Sequence, residues 1–414
     1  MSTAPRQPSS SELFLTARSR TSGTSAPVRR RVLLRHPAWL TVFASLALCA
    51  LGVYTMNLTA GVQSAGIGVY AKKQLALLLV ALIAGGVTVI PHYRLIGRMI
   101  PLLIVAVLAA LVLLLIPFVP EFLVTPRNGA RRWINLVVMD FQPSELAKVV
   151  YVLAIAYYLR YRKNYRSLQG LIPPAIITFI PMGLVLVEPD LGTALLFLPA
   201  LFAMLIAAGV KLKHLAAVVL VAMVVAPSMY PLLQPHQKDR IDAVLRQMVG
   251  DTAATGDNIN YQGLKAQTLI GSGGIVGLGA AKSRTVVHYN RLPEDHNDMI
   301  FSVVINRFGL FGGLLVMGLY LLWLLGATLT AAMCKDPFGR LLVVGLSAMI
   351  AAQVIVNIGM NLGLLPITGM TLPFVSYGGA SLVVAFIMTG LIVNVAMRRP
   401  ALLTRQSFEY DDDE

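Results

Sequence analysis

Apolar residues fall in blocks of roughly 20 along most of the chain, at 38–56, 74–90, 99–119, 144–159, 170–187, 191–209, 215–230, 308–333, 341–362 and 380–397. About 20 apolar residues in a helix cross a ~30 Å hydrocarbon layer. The pattern therefore predicts an all-α polytopic membrane protein with ten transmembrane helices. Between the seventh and eighth blocks lies one long polar stretch, 231–298, read as an extracytoplasmic loop. Residues 1–37, rich in Ser, Thr, Arg and Pro, predict a disordered cytoplasmic tail ahead of a membrane domain over 38–397, and 398–414 form a second cytoplasmic tail ending in an acidic run. Asn357 to Gly379 is dense in Gly and Pro. Broken backbone at membrane depth persists only inside protein or beside water, so this stretch is expected to be a structured elbow.

Composition agrees with the blocks, since 57% of residues are hydrophobic and 13% charged, against about half and a quarter in soluble domains. The net charge of +15 is explained by topology, and a nucleic-acid partner is not implied. The amino-terminal segment, alternate connections and carboxyl tail hold 20 of the 34 Lys and Arg. Basic residues beside spans resist translocation, which sets both termini in the cytoplasm. Cys49 and Cys334 fall in or beside spans on the inner half, where a disulfide is not expected.

Four polar stretches interrupt the apolar pattern, all on the outer side. Arg131-Arg132-Trp133 precedes Gln142-Pro143-Ser144-Glu145-Leu146-Ala147-Lys148, which places Glu145 and Lys148 one turn apart on the fourth span. Such a pair within a span is either an ion pair between helices or the lining of a cavity. Glu188-Pro189-Asp190-Leu191-Gly192 joins two spans, with Asp190 placed to cap a helix, to meet a substrate, or both. Gly271 to Gly279 reads as a flexible or re-entrant segment, because no strand precedes it and no Lys-Ser/Thr follows it. Leu292-Pro293-Glu294-Asp295-His296-Asn297-Asp298 puts three carboxylates and an imidazole at the mouth of the eighth span, a candidate general base or a divalent-cation site. The elbow is the fourth stretch.

These motifs, in this order, resemble the SEDS (shape, elongation, division and sporulation) family, the RodA and FtsW proteins. Arg-Trp-Ile with Gln-Pro-Ser-Glu-Leu-Ala-Lys, Pro-Asp-Leu-Gly-Thr, Ile-Gly-Ser-Gly-Gly, Leu-Pro-Glu-x-His-x-Asp and Pro-Phe-Val-Ser-Tyr-Gly-Gly together cover the chain from 38 to about 400. The resemblance implies a peptidoglycan glycosyltransferase of the bacterial inner membrane that polymerises lipid II into a growing glycan strand. It also implies a class B penicillin-binding protein as crosslinking partner. By position, Asp298 matches the family's proposed catalytic carboxylate. Arg132, Glu145, Lys148 and Asp190 match polar positions tied to activity, and Glu294 and His296 complete the motif around Asp298. No organic cofactor is implied; magnesium or manganese at the acidic cluster is the alternative cofactor.

The chain departs from the family pattern at Asn297-Asp298-Met299 for Thr-Asp-Phe, at Glu188 for Gln, and at Lys265 for Gln. It departs again at Asn306-Arg307, where two acidic residues are usual. With Arg307 expected near the cluster, the last change weakens any cation or base assignment there. Asp298 would accept the acceptor's proton, and Arg132 and Lys148, with Arg131 beside them, would hold the departing pyrophosphate. A lipid II flippase and a non-enzymatic scaffold for a separate synthase are the rivals. Crowding of the polar groups on one side favours the enzyme over the flippase.

Overall fold

The computed structural model describes residues 36–59, 67–120, 122–124, 131–136, 139–160, 169–217, 219, 220, 230, 238 and 258–398. Helices α1 (Ala38–Thr59), α2 (Val69–Val89) and α3 (Tyr93–Leu115) lead to a hairpin of β1 (Ile134–Leu136) and β2 (Met139–Phe141), paired antiparallel with Ile134 opposite Phe141. Then follow α4 (Pro143–Leu159), α5 (Ile172–Val187), α6 (Leu191–Ala207), α7 (Asn258–Gly273), α8 (Gly279–Asn290), α9 (Ile300–Met333), α10 (Pro337–Asn361) and α11 (Gly379–Met397). Most of the seventh apolar block and the two tails lie outside the described residues.

Among the described residues, seven helices are long and apolar enough to cross a membrane: α1, α2, α3, α5 with the turn before it, α9, α10 and α11. This is a helical multi-pass membrane protein. The other two blocks form shorter helices, α4 and α6, each of 17 residues. Helix α4 is buried along nearly its whole length, against α3, α6 and α10. It starts at Pro143, whose missing amide costs nothing at a first helical position. Small residues set the closest helix contacts. A Cβ at Gly85 of α2 would stand 2.7 Å from the Phe386 carbonyl oxygen of α11, so only glycine allows that approach. Cys49 and Cys334 are buried and free.

The eighth block proves longer than its apolar pattern. Helix α9 begins at Ile300 rather than 308 and is interrupted at Gly309, with φ 69° and ψ −161°, a backbone region essentially closed to other residues. The glycine-dense stretch, expected to be flexible or re-entrant, is an ordered turn between α7 and α8 that docks on this break. Leu310 N donates to the Gly274 carbonyl and Leu278 N to the Asn306 carbonyl, both at 3.0 Å. Gly309→Ala would drive a Cβ to 2.2 Å from the Ile275 carbonyl oxygen. We expect it to cost on the order of 3 kcal/mol from backbone strain and the lost docking, read as a lowered thermal midpoint; an unchanged midpoint would contradict this packing.

The elbow is ordered as expected. Ser376 Oγ accepts from Leu372 N at 2.7 Å and donates to the Asn297 carbonyl at 2.6 Å, joining the elbow to the acidic turn. At the opposite ends of the helices, Arg94 pairs with Asp336 at 2.9 Å, while Asp336 caps α10 by accepting from Gly339 N at 3.0 Å.

Candidate functional site

A cavity of about 470 Å³ opens between the start of α4, the Asp190 turn, α2, α10 and the elbow. Its wall carries Arg132, Glu145, Lys148 and Asp190, four of the seven residues singled out in the sequence. Local structure explains each position. Lys148 is 1% exposed, its Nζ 2.9 Å from Glu145 Oε1 and 3.1 Å from Gln353 Oε1. One buried carboxylate and one amide thus hold a cation that would be costly alone. Asp190 caps α6 by accepting from Thr193 N at 3.1 Å, and its other oxygen accepts from Gln142 Nε2 at 3.1 Å. Capping and cavity lining therefore coincide in this residue.

Arg132 is held from behind, its Nε donating to the Glu188 carbonyl at 2.8 Å and its Nη2 to the Pro189 carbonyl. Both of these acceptors are neutral carbonyls. Arg131, by contrast, turns away and donates to the carbonyls of Ile116, Pro117 and Val119 at the end of α3. The expectation that it stands beside Arg132 as an anion ligand is corrected; in the segment leading into β1, adjacent side chains project to opposite sides. Glu188 is buried and neither carboxylate oxygen has a hydrogen-bond partner. Burial, followed by the neighbouring Asp190, pushes its carboxyl up to about 8 against the opposing pull of Arg132. A protonated Glu188 has nearly the shape and charge of the Gln that the family resemblance implies here.

Asp298 lies just beneath the wall formed by Asn297 and Gly369. Its Oδ2 stands 3.9 Å from where a Cβ on Gly369 would be, and its Oδ1 has no partner. The main chain here is fixed from α10, where Asn357 Nδ2 and Asn361 Nδ2 donate to the Asp298 carbonyl at 2.9 and 3.1 Å. Burial raises the Asp298 carboxyl to about 7, with Glu294 adding to the effect and His296 opposing it. This is a carboxylate poised near neutral pH, the range in which a general base is most effective.

The structure does not bring Glu294 and His296 into the cavity wall. His296 stacks on Tyr70 with ring centroids 3.9 Å apart and its Nδ1 meets Asp295 Oδ1 at 3.0 Å, while Glu294 Oε2 accepts from Asn297 Nδ2 at 3.2 Å. The three acids of the turn thus point to different partners. Among the described residues, no group of three or more His, Cys, Asp or Glu side chains is placed to hold a metal ion. The side chains of the acidic turn therefore offer no convergent donor set for a cation. The expected influence of Arg307 on this cluster is also corrected. Its Nη2 donates to Tyr54 OH at 3.1 Å and its guanidinium lies 5.0 Å from the Phe308 ring centroid, because residue 307 is more than two helical turns beyond Asp298.

Two lining residues escaped the sequence reading. Gln353 bridges Lys148 to the elbow, donating to the Thr371 carbonyl at 2.9 Å; with Asn357 and Asn361 it forms an i, i+4, i+8 polar stripe on the otherwise apolar α10. That spacing was the available signal. Lys73, near the start of α2, adds a further cation to the wall, and only its position at the head of a span marked it.

A family model described as a cell cycle protein of the FtsW, RodA and SpoVE type matches residues 35–400. The chain belongs to this family. It is 32% identical over 383 residues to the probable peptidoglycan glycosyltransferase FtsW of Bacillus subtilis (strain 168), covering 88% of this chain and 92% of that protein. It is 33% identical over 297 residues to stage V sporulation protein E of the same organism, covering 71% and 78%. Among solved structures, a chain from a peptidoglycan synthase complex coordinating polymerization and crosslinking superposes with TM-score 0.72 at 30% identity, covering 86% of this chain and 97% of that one. The rod shape determining protein RodA of Thermus thermophilus superposes with TM-score 0.62 at 28% identity, covering 86% and 96%.

Proposed function

We propose that this protein is a peptidoglycan glycosyltransferase that polymerises lipid II on the outer face of the bacterial cytoplasmic membrane, through ten spans with both termini inside. The observation that carries the reading is the Asp298 carboxyl, raised to about 7 and with its Oδ1 unbonded, just beneath a cavity wall that holds Arg132 and the buried Lys148. Transfer from a lipid-linked pyrophosphate needs a base for the acceptor hydroxyl and fixed positive charge for the leaving group. Asp298 takes the hydroxyl proton. Arg132, through a planar fork suited to phosphate oxygens, and Lys148 and Lys73, as compact charges, stabilise the departing pyrophosphate. Asp298 is 5% exposed, so the elbow around Gly369 must shift for the acceptor to reach it. Apolar Ala76, Leu77 and Val80 on α2 line the same cavity and suit the polyprenyl chain.

The names of the relatives support this activity, and the synthase-complex neighbour supports a class B penicillin-binding protein as partner. The same chemistry serves elongation and division. We expect a class B penicillin-binding protein to co-purify with the chain and to raise its lipid II polymerisation several-fold. No complex and unchanged activity would refute the partnership.

A further inference from the structure

The depth of the turn between α7 and α8 is set by α9. Exposed apolar side chains on α9 begin at Leu310 and Phe311 and recur to Met333. Those roughly 24 residues extend about 36 Å at 1.5 Å each, enough to cover a ~30 Å hydrocarbon layer. Residues Ile300–Asn306, before Gly309, are buried against the rest of the chain instead. The break at Gly309 therefore marks the membrane boundary on the cavity's side. Because Leu310 N donates to the Gly274 carbonyl, the turn lies at that boundary.

At this depth the turn presents two uncovered apolar side chains, Ile275 at 65% and Val276 at 79% exposure. Basic side chains flank the turn. Arg307 Nη1 is 3.8 Å from where a Cβ on Gly279 would stand, and Lys282 is exposed one turn into α8. From Asn258 through Pro293 the sequence has no Asp or Glu, against Lys265, Lys282, Arg284 and Arg291. Apolar tips with basic flanks bind the interface of an anionic membrane through burial and charge together.

We propose that the Gly274–Leu278 turn is an interfacial anchor for anionic phospholipid: Ile275 and Val276 enter the leaflet on the cavity's side, and Arg307 and Lys282 take the phosphate of a net-negative headgroup. Neutral phospholipid shares the acyl contact but lacks the net charge, so these basic side chains select between them. The turn also ties the membrane boundary to the chemistry above it, because α8 leads directly into the Asp298 segment.

The test uses the full chain with Cys49→Ala and Cys334→Ala, carrying an environment-sensitive dye on Val276→Cys or, near the far end of α8, on Tyr289→Cys. In phosphatidylcholine nanodiscs the dye at 276 is expected to be quenched by lipid nitroxides and shielded from aqueous iodide, with the reverse at 289. Equal iodide quenching at both sites would overturn the insertion. With both original cysteines kept, protein from mixed phosphatidylglycerol and phosphatidylcholine nanodiscs is expected to retain phosphatidylglycerol by native mass spectrometry. Arg307→Gln with Lys282→Gln should reduce that retention roughly tenfold or more, each basic residue near an anionic surface contributing about fivefold. Unchanged retention would overturn the headgroup assignment, as would retention of undecaprenyl pyrophosphate but not phosphatidylglycerol through these two residues.

Discussion

Asp298→Asn is expected to lower lipid II polymerisation by roughly 10²–10⁴-fold, the usual loss when a general base is removed, without loss of folded protein. The asparagine keeps the side chain's shape beneath Gly369 and lacks the base. The parent enzyme's rate should rise with pH through about 7, where the Asp298 carboxyl ionises. The stability effect has the opposite sign. A carboxyl raised from about 3.9 in the unfolded chain to its folded value binds its proton more tightly in the folded state. Stability from that proton is complete below about 3.9 and is lost as pH rises through about 7. The neutral variant escapes this loss and should be more stable than the parent at pH 8, on the order of 1–3 kcal/mol. A variant that polymerises normally would remove Asp298 from the chemistry, and one less stable than the parent at pH 8 would contradict the burial argument.

The second large effect concerns Glu145 and Lys148. Lys148→Met strands the Glu145 carboxylate in a buried site and leaves Gln353 Oε1 without its donor; Glu145→Gln leaves the Lys148 ammonium with two neutral amides. Breaking one half of a buried pair typically costs about 3–5 kcal/mol, so both single variants should unfold at markedly lower temperature and lose activity. The double variant Glu145→Gln with Lys148→Met removes both charges and should recover most of the stability. If Lys148 also serves the pyrophosphate, activity stays lost. Recovery of both stability and polymerisation in the double variant would reduce the pair to a structural bridge.

Much of the fold was legible because length and apolarity of a span are local properties. Nine of the ten apolar blocks coincide with helices among the described residues, and the seventh falls largely outside them. What escaped depends on contacts between distant segments. In the first turns of α9, Asn306 is fully used, accepting from Ser283 Oγ at 2.6 Å and donating to Ser272 Oγ and the Leu269 carbonyl, which ties α9 to α7 and α8. A carboxylate, which the family resemblance implies at this position, has no hydrogen to give those two acceptors. Lys265 is likewise bonded to the Asn290 carbonyl, tying α7 to the end of α8. Neither role has a local signature.

The site was legible in part for the same reason. Glu145, Lys148, Arg132 and Asp190 stood out as polar groups beside apolar spans, and the cavity gathers them. Spacing alone could not separate Asp298, buried with one carboxylate oxygen unbonded, from Glu294 and His296, three and five positions into the same heptapeptide but turned toward Asn297 and Tyr70. Nor could it show that adjacent Arg131 and Arg132 face different partners.

On this proposal the cavity makes glycosidic bonds rather than carrying lipid II across the bilayer. Sealed liposomes holding the purified chain, its penicillin-binding partner and fluorescent lipid II test it directly, since strand length on a gel and dye accessibility across the membrane are read from one sample. Polymer made from lipid II in the leaflet facing the cavity, with no faster movement of lipid between leaflets and with Asp298→Asn inactive, is the expected result; accelerated movement without polymer would contradict it.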